Sequence, residues 1–291
     1  MSFQQHADTL AQQLAEKVDI ITPHITDGRH LEVPWPLPPF FKEVTLPYTD
    51  ALVFGPVDLN LTKHVVMLFI GATLLIVAML LAARAHKRAT YVGNAPAGGT
   101  NALEAMILYI RNEVILPNVG HHGEGFVPYL LTAFFFILTL NVLGLIPYGS
   151  TATGNIAVTA SLAILTFITV EIAGMRALGA GYLKTIFYWN NELPMVMRPL
   201  MFAIMTPVEM LGKLTKPFSL AIRLFANMTA GHIVVLALVG LIFTFGSFVS
   251  AAPFFATMLI MLLELFVAFL QAFIFTLLSA VFIGQIREGA H

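Results

Sequence analysis

Residues 217–232 of the chain read Pro-Phe-Ser-Leu-Ala-Ile-Arg-Leu-Phe-Ala-Asn-Met-Thr-Ala-Gly-His, and an apolar run follows them to residue 245. The stretch is long enough to cross a bilayer, yet it contains Arg223, Asn227 and His232. A guanidinium stays charged at any ordinary pH, and placing one at membrane depth costs at least about 2.5–3.5 kcal/mol. An arginine near a helix end can instead extend its charged head to the interface. Unless Arg223 does so, it marks a functional site.

The composition is that of a polytopic membrane protein. Of the 291 residues, 58% are hydrophobic and 11% are charged, whereas soluble domains carry roughly 25% charged residues. The net charge of −1 argues against a nucleic-acid partner, and no cysteine is present for a disulfide or a thiolate metal site. Residues 1–20 resemble neither a secretory signal nor an Arg-rich transit peptide, which favours a bacterial inner membrane.

The hydropathy pattern predicts an all-α protein with about five membrane-spanning helices. The predicted spans are residues 64–83, 126–146, 156–173, 217–249 and 254–286. Arg84, Lys87 and Arg88 follow the first span, whereas the loops 147–155 and 246–253 contain no lysine or arginine. By the positive-inside rule, residues 1–58 form a periplasmic N-terminal arm, and residues 59–291 form the membrane domain with a cytoplasmic C-terminus.

Other segments give weaker expectations. Residues 3–20 predict a short amphipathic helix at best, and the Pro-rich residues 30–57 predict an extended arm. Residues 103–114 predict an amphipathic helix that lies on the cytoplasmic membrane surface or binds a partner. Residues 185–216 predict an interfacial stretch that leads into a helix beginning near Pro217 or earlier. His121 with His122 lacks the further ligand that a metal site needs. We therefore expect no metal or cofactor.

Polar residues near the spans predict local contacts. Asn141 is expected to form a hydrogen bond with a neighbouring helix at membrane depth. Glu171, close to Arg176 in the sequence, is expected to be an interfacial carboxylate.

The last two spans are too long for an upright helix. Residues 254–286 make ~50 Å of helix, whereas the hydrocarbon layer is only ~30 Å thick. Residues 217–249 have the same length. The two spans therefore predict a long, strongly tilted hairpin along a curved partner surface.

The polar residues of these two helices fall on distinct faces. Glu264 and Gln271 are seven residues apart and share a face, as do Arg223 and Asn227, which are four apart. His232 is nine residues from Arg223 and points about half a turn away. Arg223 can therefore meet a partner while His232 joins Glu264 in a watery cleft, where a carboxyl and an imidazole can pass protons. Alternatively, the His–Glu pair merely holds two helices together.

At these residues the chain resembles subunit a of F-type ATP synthases. Residues 213–232 are similar to the signature of that family, and residues 263–275 match its C-terminal segment. Asn141–Pro147, which reads Asn-Val-Leu-Gly-Leu-Ile-Pro, resembles an earlier motif. The resemblance covers roughly residues 60–288, and the arm at residues 21–57 lies outside it. In some members the acid and the imidazole at positions 232 and 264 are exchanged.

The resemblance implies a non-catalytic stator subunit that couples proton flow to ATP synthesis. Its partners would be a rotating ring of c subunits, the b subunits of the peripheral stalk and membrane lipid. Arg223 would face the carboxylate of a c subunit, between two offset aqueous half-channels. His232 and Glu264 would line the outer half-channel, Gln271 would lie near Arg223, and Asn227 would polarise the same strip.

Three other functions are compatible with a polytopic chain. In a proton-coupled secondary transporter Arg223 would bind an anionic substrate, but no internal repeat relates residues 60–175 to 176–291. An intramembrane protease is excluded because the sequence has no His-Glu-x-x-His, no Gly-x-Ser-x-Gly and no pair of intramembrane aspartates. A structural scaffold does not account for Arg223.

Overall fold

The computed structural model confirms an all-α polytopic membrane protein: five of its helices are long and apolar enough to cross a membrane. It describes residues 27–34, 41–48, 53–54, 57–58, 60–92, 98–120, 123–146, 151–185, 187, 197–245 and 251–288. The predicted helix at residues 3–20 and the pair His121 and His122 lie outside these ranges.

The described part of the N-terminal arm consists of short strands. Strand β1 (His30–Pro34) pairs antiparallel with β2 (Phe41–Thr45), with His30 opposite Thr45 and Pro34 opposite Phe41. Strand β3 (Val53–Phe54) pairs with β4 (Val57–Asp58). Pro34 is the last residue of its strand, a position compatible with the missing N–H of proline.

The helices follow in chain order. They are α1 (Lys63–Val92), α2 (Gly99–Tyr109), α3 (Leu116–Val119), α4 (Val127–Gly144), α5 (Ile156–Leu178), α6 (Arg198–Phe245) and α7 (Ala251–Glu288). A π-helical turn (Ile110–Ile115) joins α2 to α3. Short 3-10 turns at Glu124–Phe126, Ala152–Gly154 and Gly179–Thr185 lie at the ends of α4 and α5.

The helix that carries Arg223 begins at Arg198, well before Pro217, within the range that the sequence left open. Residues 198–216 of the predicted interfacial stretch are therefore helical. Pro199 stands in the first turn, where its missing N–H costs nothing, and the helix continues through Pro207 and Pro217. In an apolar environment, continuing the helix leaves fewer backbone groups unsatisfied than ending it at either proline. With 48 residues, α6 is ~72 Å long.

The chain divides into two compact units. The first consists of Met1–Gly71, Leu140–Asn155 and Ala226–Ala268. Within it α1 and α4 pack closely, since a Cβ atom on Gly71 would lie 2.5 Å from Cδ2 of Leu140.

The second unit consists of Ala72–Thr139, Ile156–Phe225 and Phe269–His291. Phe134 of α4 is fully buried and meets the ring of Phe269 edge-on, at 5.8 Å between centroids. The predicted amphipathic helix at residues 103–114 has no buried residue within α2, but Ile110 and Val114 in the π-helical turn are buried. The predicted amphipathic helix is therefore buried at the C-terminal end of the helix.

Candidate functional site

Arg223 lies near the midpoint of α6 and is half-buried. Its neighbours Leu220 and Leu224 are buried. Among the residues that the structure describes, Arg223 forms no hydrogen bond or ion pair. The described part of the chain therefore leaves this charge without a counter-ion, in the middle of a long apolar helix.

The exposed side of α6 around Arg223 is built from small side chains. Ser219, Ala226, Asn227 and Ala230 are exposed, and their three- and four-residue spacing places them on the same face as Arg223. Small residues on a membrane helix allow another helix to approach closely. Asn227, predicted on the Arg223 face, does lie on this exposed strip, which we call the small-residue strip.

Glu264 is buried in the first unit, where it packs against α6. Its exposed fraction is 6%. A Cβ atom on Gly231 would lie 2.5 Å from Oε1 of Glu264 and 3.0 Å from its Cδ. The carboxyl group therefore occupies space that exists only because residue 231 is glycine. His232, the next residue, is half-buried, so the fold brings Glu264 to the turn of α6 that carries His232.

The sequence analysis missed Gly231. Its contact partner, Glu264, is 33 positions away in the chain and on another helix. The periodicity of a single helix does not indicate such a contact. The available signal was the run Ala230-Gly231, because small residues mark close helix contacts in membranes.

Asn141 extends the polar contacts beside Glu264. Its Nδ2 donates to the carbonyl oxygen of Ala268 at 3.3 Å, which confirms the predicted hydrogen bond to another helix. Its Oδ1 accepts from Oγ1 of Thr153 at 2.7 Å. Ala268 lies one helical turn after Glu264 on α7, so these bonds fix the backbone next to the carboxylate.

Gln271 is 2% exposed and lies on α7, seven residues after Glu264. The buried side of α7 continues beyond it with Phe275, Ser279 and Ile283. Within the described ranges Arg223 and Gln271 share no hydrogen bond, so their predicted proximity stays a prediction.

The second unit contains a cavity of about 340 Å³ that the sequence analysis did not anticipate. Its lining combines polar and apolar side chains from α5, α6 and α7. The titratable ones are Glu171, Glu209, Lys213 and Lys216. A polar cavity of this size holds several water molecules.

An ion pair in this cavity involves Glu171, which the sequence predicts to be an interfacial carboxylate. Glu171 pairs with Lys213, at 3.8 Å between Oε1 and Nζ, whereas Arg176 is exposed. Lys213 also donates to the hydroxyl of Tyr182 at 3.1 Å and to that of Thr185 at 3.0 Å. The pairing joins residues that are far apart in the sequence, and local charge spacing therefore could not find it.

Lys216 closes the cavity on another side. Its ammonium group lies 3.4 Å from Oε1 of Gln285 and 5.0 Å from the ring centroid of Phe282. Both partners are on α7, so the part of α6 around Lys216 also packs against α7.

Comparisons with known proteins agree with this architecture. The family model of the ATP synthase A chain matches residues 65–284. ATP synthase subunit a of Chloroherpeton thalassium is 45% identical over 271 residues, covering 93% of this chain and 77% of that protein. ATP synthase subunit a 2 of Chlorobaculum tepidum is 44% identical over 288 residues, covering 96% and 77%. ATP synthase subunit a of Anaeromyxobacter dehalogenans is 44% identical over 272 residues, covering 90% and 68%.

Proposed function

The chain belongs to the ATP synthase A chain family, and we propose that it is the proton-translocating stator subunit of an F-type ATP synthase. The observation that carries the proposal is Arg223 itself. It stands in the middle of an apolar helix and has no ion pair within the described residues. A membrane charge of this kind needs an opposite charge from somewhere. A carboxylate on a moving partner subunit supplies one.

Arg223 acts on that carboxylate electrostatically. Its fixed positive charge favours the ionised form, so a protonated carboxyl group releases its proton as it arrives. The same charge repels a proton that would cross the membrane without moving the partner. A membrane potential supplies about 2.3 kcal/mol per charge per 100 mV, which drives the cycle.

Glu264 and His232 serve the outer half-channel in this proposal. The burial of Glu264 against Gly231 keeps the carboxyl group beside the imidazole-bearing turn of α6. A carboxyl group and an imidazole can both accept and donate protons, which suits them to a route that must run in both directions.

We assign the inner half-channel to the cavity of the second unit. Its α6 residues, from Glu209 to Leu220, precede Arg223 in the helix, whereas Gly231 and His232 follow it. Protons would thus approach Arg223 from one direction along α6 and leave in the other. This order is what two offset half-channels require.

The partner ring is expected on the small-residue strip of α6, where Ser219, Ala226 and Ala230 allow close approach. Helices α6 and α7, of 48 and 38 residues, would form the strongly tilted hairpin that follows the ring. Asn227 would polarise the strip, and Gln271 would support Arg223. The b subunits of the peripheral stalk would hold the subunit against rotation.

The proposed location is a bacterial inner membrane. The N-terminal arm at residues 1–58 would be periplasmic, residues 59–291 would form the membrane domain, and the C-terminus would be cytoplasmic. The basic residues Arg84, Lys87 and Arg88 near the end of α1 support this orientation.

The test replaces Arg223 in the complete complex. In inverted membrane vesicles, Arg223→Ala is expected to abolish ATP-driven proton pumping and ATP synthesis while the subunit remains assembled. Arg176→Ala, which removes an exposed arginine at the end of α5, is the matched control and should keep both activities. An Arg223→Ala complex that still makes ATP overturns the proposal. Proton-coupled solute transport by the isolated subunit in liposomes would instead favour a secondary transporter.

A further inference from the structure

The start of α1 carries a polar cluster that the proposed function does not use. The carboxylate of Asp27, in the N-terminal arm, accepts hydrogen bonds from two side chains, besides one from the backbone N–H of Gly28. His64 Nδ1 lies 2.6 Å from Oδ1, and Asn155 Nδ2 donates to Oδ2 at 3.1 Å. His64 is 2% exposed, so one of the two donors is buried. Asp27 thereby connects the arm both to α1 and to the segment before α5.

We call that segment, residues 151–155, the outer loop. It is held at several further points within the same unit. Oγ1 of Thr151 donates to the carbonyl of Gly144 at 3.3 Å, and Oγ1 of Thr153 donates to Asn141 at 2.7 Å. Oγ1 of Thr229 on α6 donates to the carbonyl of Gly154 at 3.5 Å. The loop is therefore attached to α4, α6 and the arm.

The loop contacts α6 directly and is linked to α7 through Asn141 of α4, in each case about one turn from the proposed proton pair. Thr229 is three residues before His232 on α6. Asn141, which binds Thr153, also binds the carbonyl of Ala268, four residues after Glu264 on α7. The position of the outer loop thus bears directly on the space next to Glu264 and His232.

We propose that Asp27 is a positioning residue for the outer proton route, because it holds the outer loop through Asn155 against the turn of α6 that precedes His232. This inference rests on the proposed function of Glu264 and His232. Asp27 acts from the arm, which the family match at residues 65–284 does not include. A carboxylate suits the task because it can accept bonds from two donors at once. Without it, the loop keeps its bonds to α4 and α6 but loses the bond from Asn155 to Asp27.

Thiol labelling in the assembled complex measures the loop directly, because the chain has no cysteine of its own. Ala152 lies in the loop and is 2% exposed, so Ala152→Cys should react slowly with a charged, membrane-impermeant thiol reagent. Adding Asp27→Ala is expected to raise that rate about tenfold, which corresponds to about 1.4 kcal/mol of opening free energy. Thr45→Cys, at an exposed residue of β2, is the control and should react at one rate in both backgrounds.

Proton transport is the second readout. Asp27→Ala and Asn155→Ala should each slow ATP-driven pumping several-fold, and the double variant should be no worse than either, because both remove the same bond. His64→Gln, whose amide can still donate to Asp27, should pump at a rate closer to the original than His64→Ala. Additive losses, an unchanged labelling rate at Ala152→Cys, or a parallel rise at Thr45→Cys each overturn the inference. A failure of the proposed function is seen separately, as coupled transport that survives Arg223→Ala.

Discussion

Gly231→Ala tests whether the position of the Glu264 carboxyl group matters for proton transport. The added Cβ would stand 2.5 Å from Oε1, whereas ordinary van der Waals contacts begin near 3.4 Å. The carboxyl group must therefore move by roughly 0.9 Å. It is the far end of a flexible side chain, so the helices can remain packed while it moves. Misplacement of a reacting group by 1 Å costs up to about 100-fold in rate.

We expect Gly231→Ala to assemble normally and to slow ATP-driven proton pumping by about 10- to 100-fold. Fluorescence quenching of a pH-sensitive dye in inverted vesicles measures the rate, and immunoblotting measures the assembled subunit. Gly240→Ala is the matched control on the same helix, because an added Cβ there meets open space, and it should pump normally.

A second variant separates displacement from a general effect of the methyl group. Glu264→Asp shortens the side chain by one carbon–carbon bond, about 1.5 Å. Combined with Gly231→Ala, it should recover part of the lost rate, because the shorter acid leaves room for the Cβ. Normal pumping by Gly231→Ala alone, or equal losses at positions 231 and 240, would refute the reasoning.

Three further changes test the packing and the partner surface. Gly284→Ala should lower the amount of subunit in the membrane, measured by immunoblotting, because its Cβ would meet the backbone carbonyl of Asn118, which cannot rotate away. Lys213→Met should lower the free energy of unfolding of the subunit by about 2 kcal/mol, because it leaves the Glu171 carboxylate without its ion-pair partner. Lys213→Met combined with Glu171→Gln should lower it less. A double variant as unstable as the single one contradicts this prediction. Ala230→Leu should reduce pumping at least tenfold without loss of the subunit, because a large side chain in the small-residue strip blocks the close approach of a partner helix. Val234→Leu on the same helix should not reduce pumping.

The sequence predicted those features that depend on local composition. Apolar length predicted five helices that could cross a membrane, and the described part of the chain contains five such helices. The rule that polar groups in an apolar environment need a partner predicted the hydrogen bond of Asn141, although not its acceptor on Ala268. Both inferences need only the neighbours of a residue along the chain.

The features that the sequence missed depend on residues that are distant in the chain. In the sequence the basic residue near Glu171 is Arg176, but in the folded chain the ion-pair partner of Glu171 is Lys213 of another helix. The sequence left the start of α6 open, near Pro217 or earlier, because proline usually ends or kinks a helix in water. Predicting that Glu264 packs against Gly231 requires the register between two helices. The periodicity of a single helix does not give that register.

The distribution of polar partners supports the proposal that the function depends on Arg223. Lys213 has Glu171 and two hydroxyl groups, Asn141 has Thr153 and a carbonyl, and Asp27 has two donors. These groups are satisfied by the folded chain, so their interactions stabilise one arrangement of it. Within the described residues Arg223 has no such bond, and the neighbouring residues of the small-residue strip are small. A guanidinium held by its own protein would be a structural element. A guanidinium left for a partner can bind successive carboxylates as they pass, and rotation of a ring requires that kind of binding.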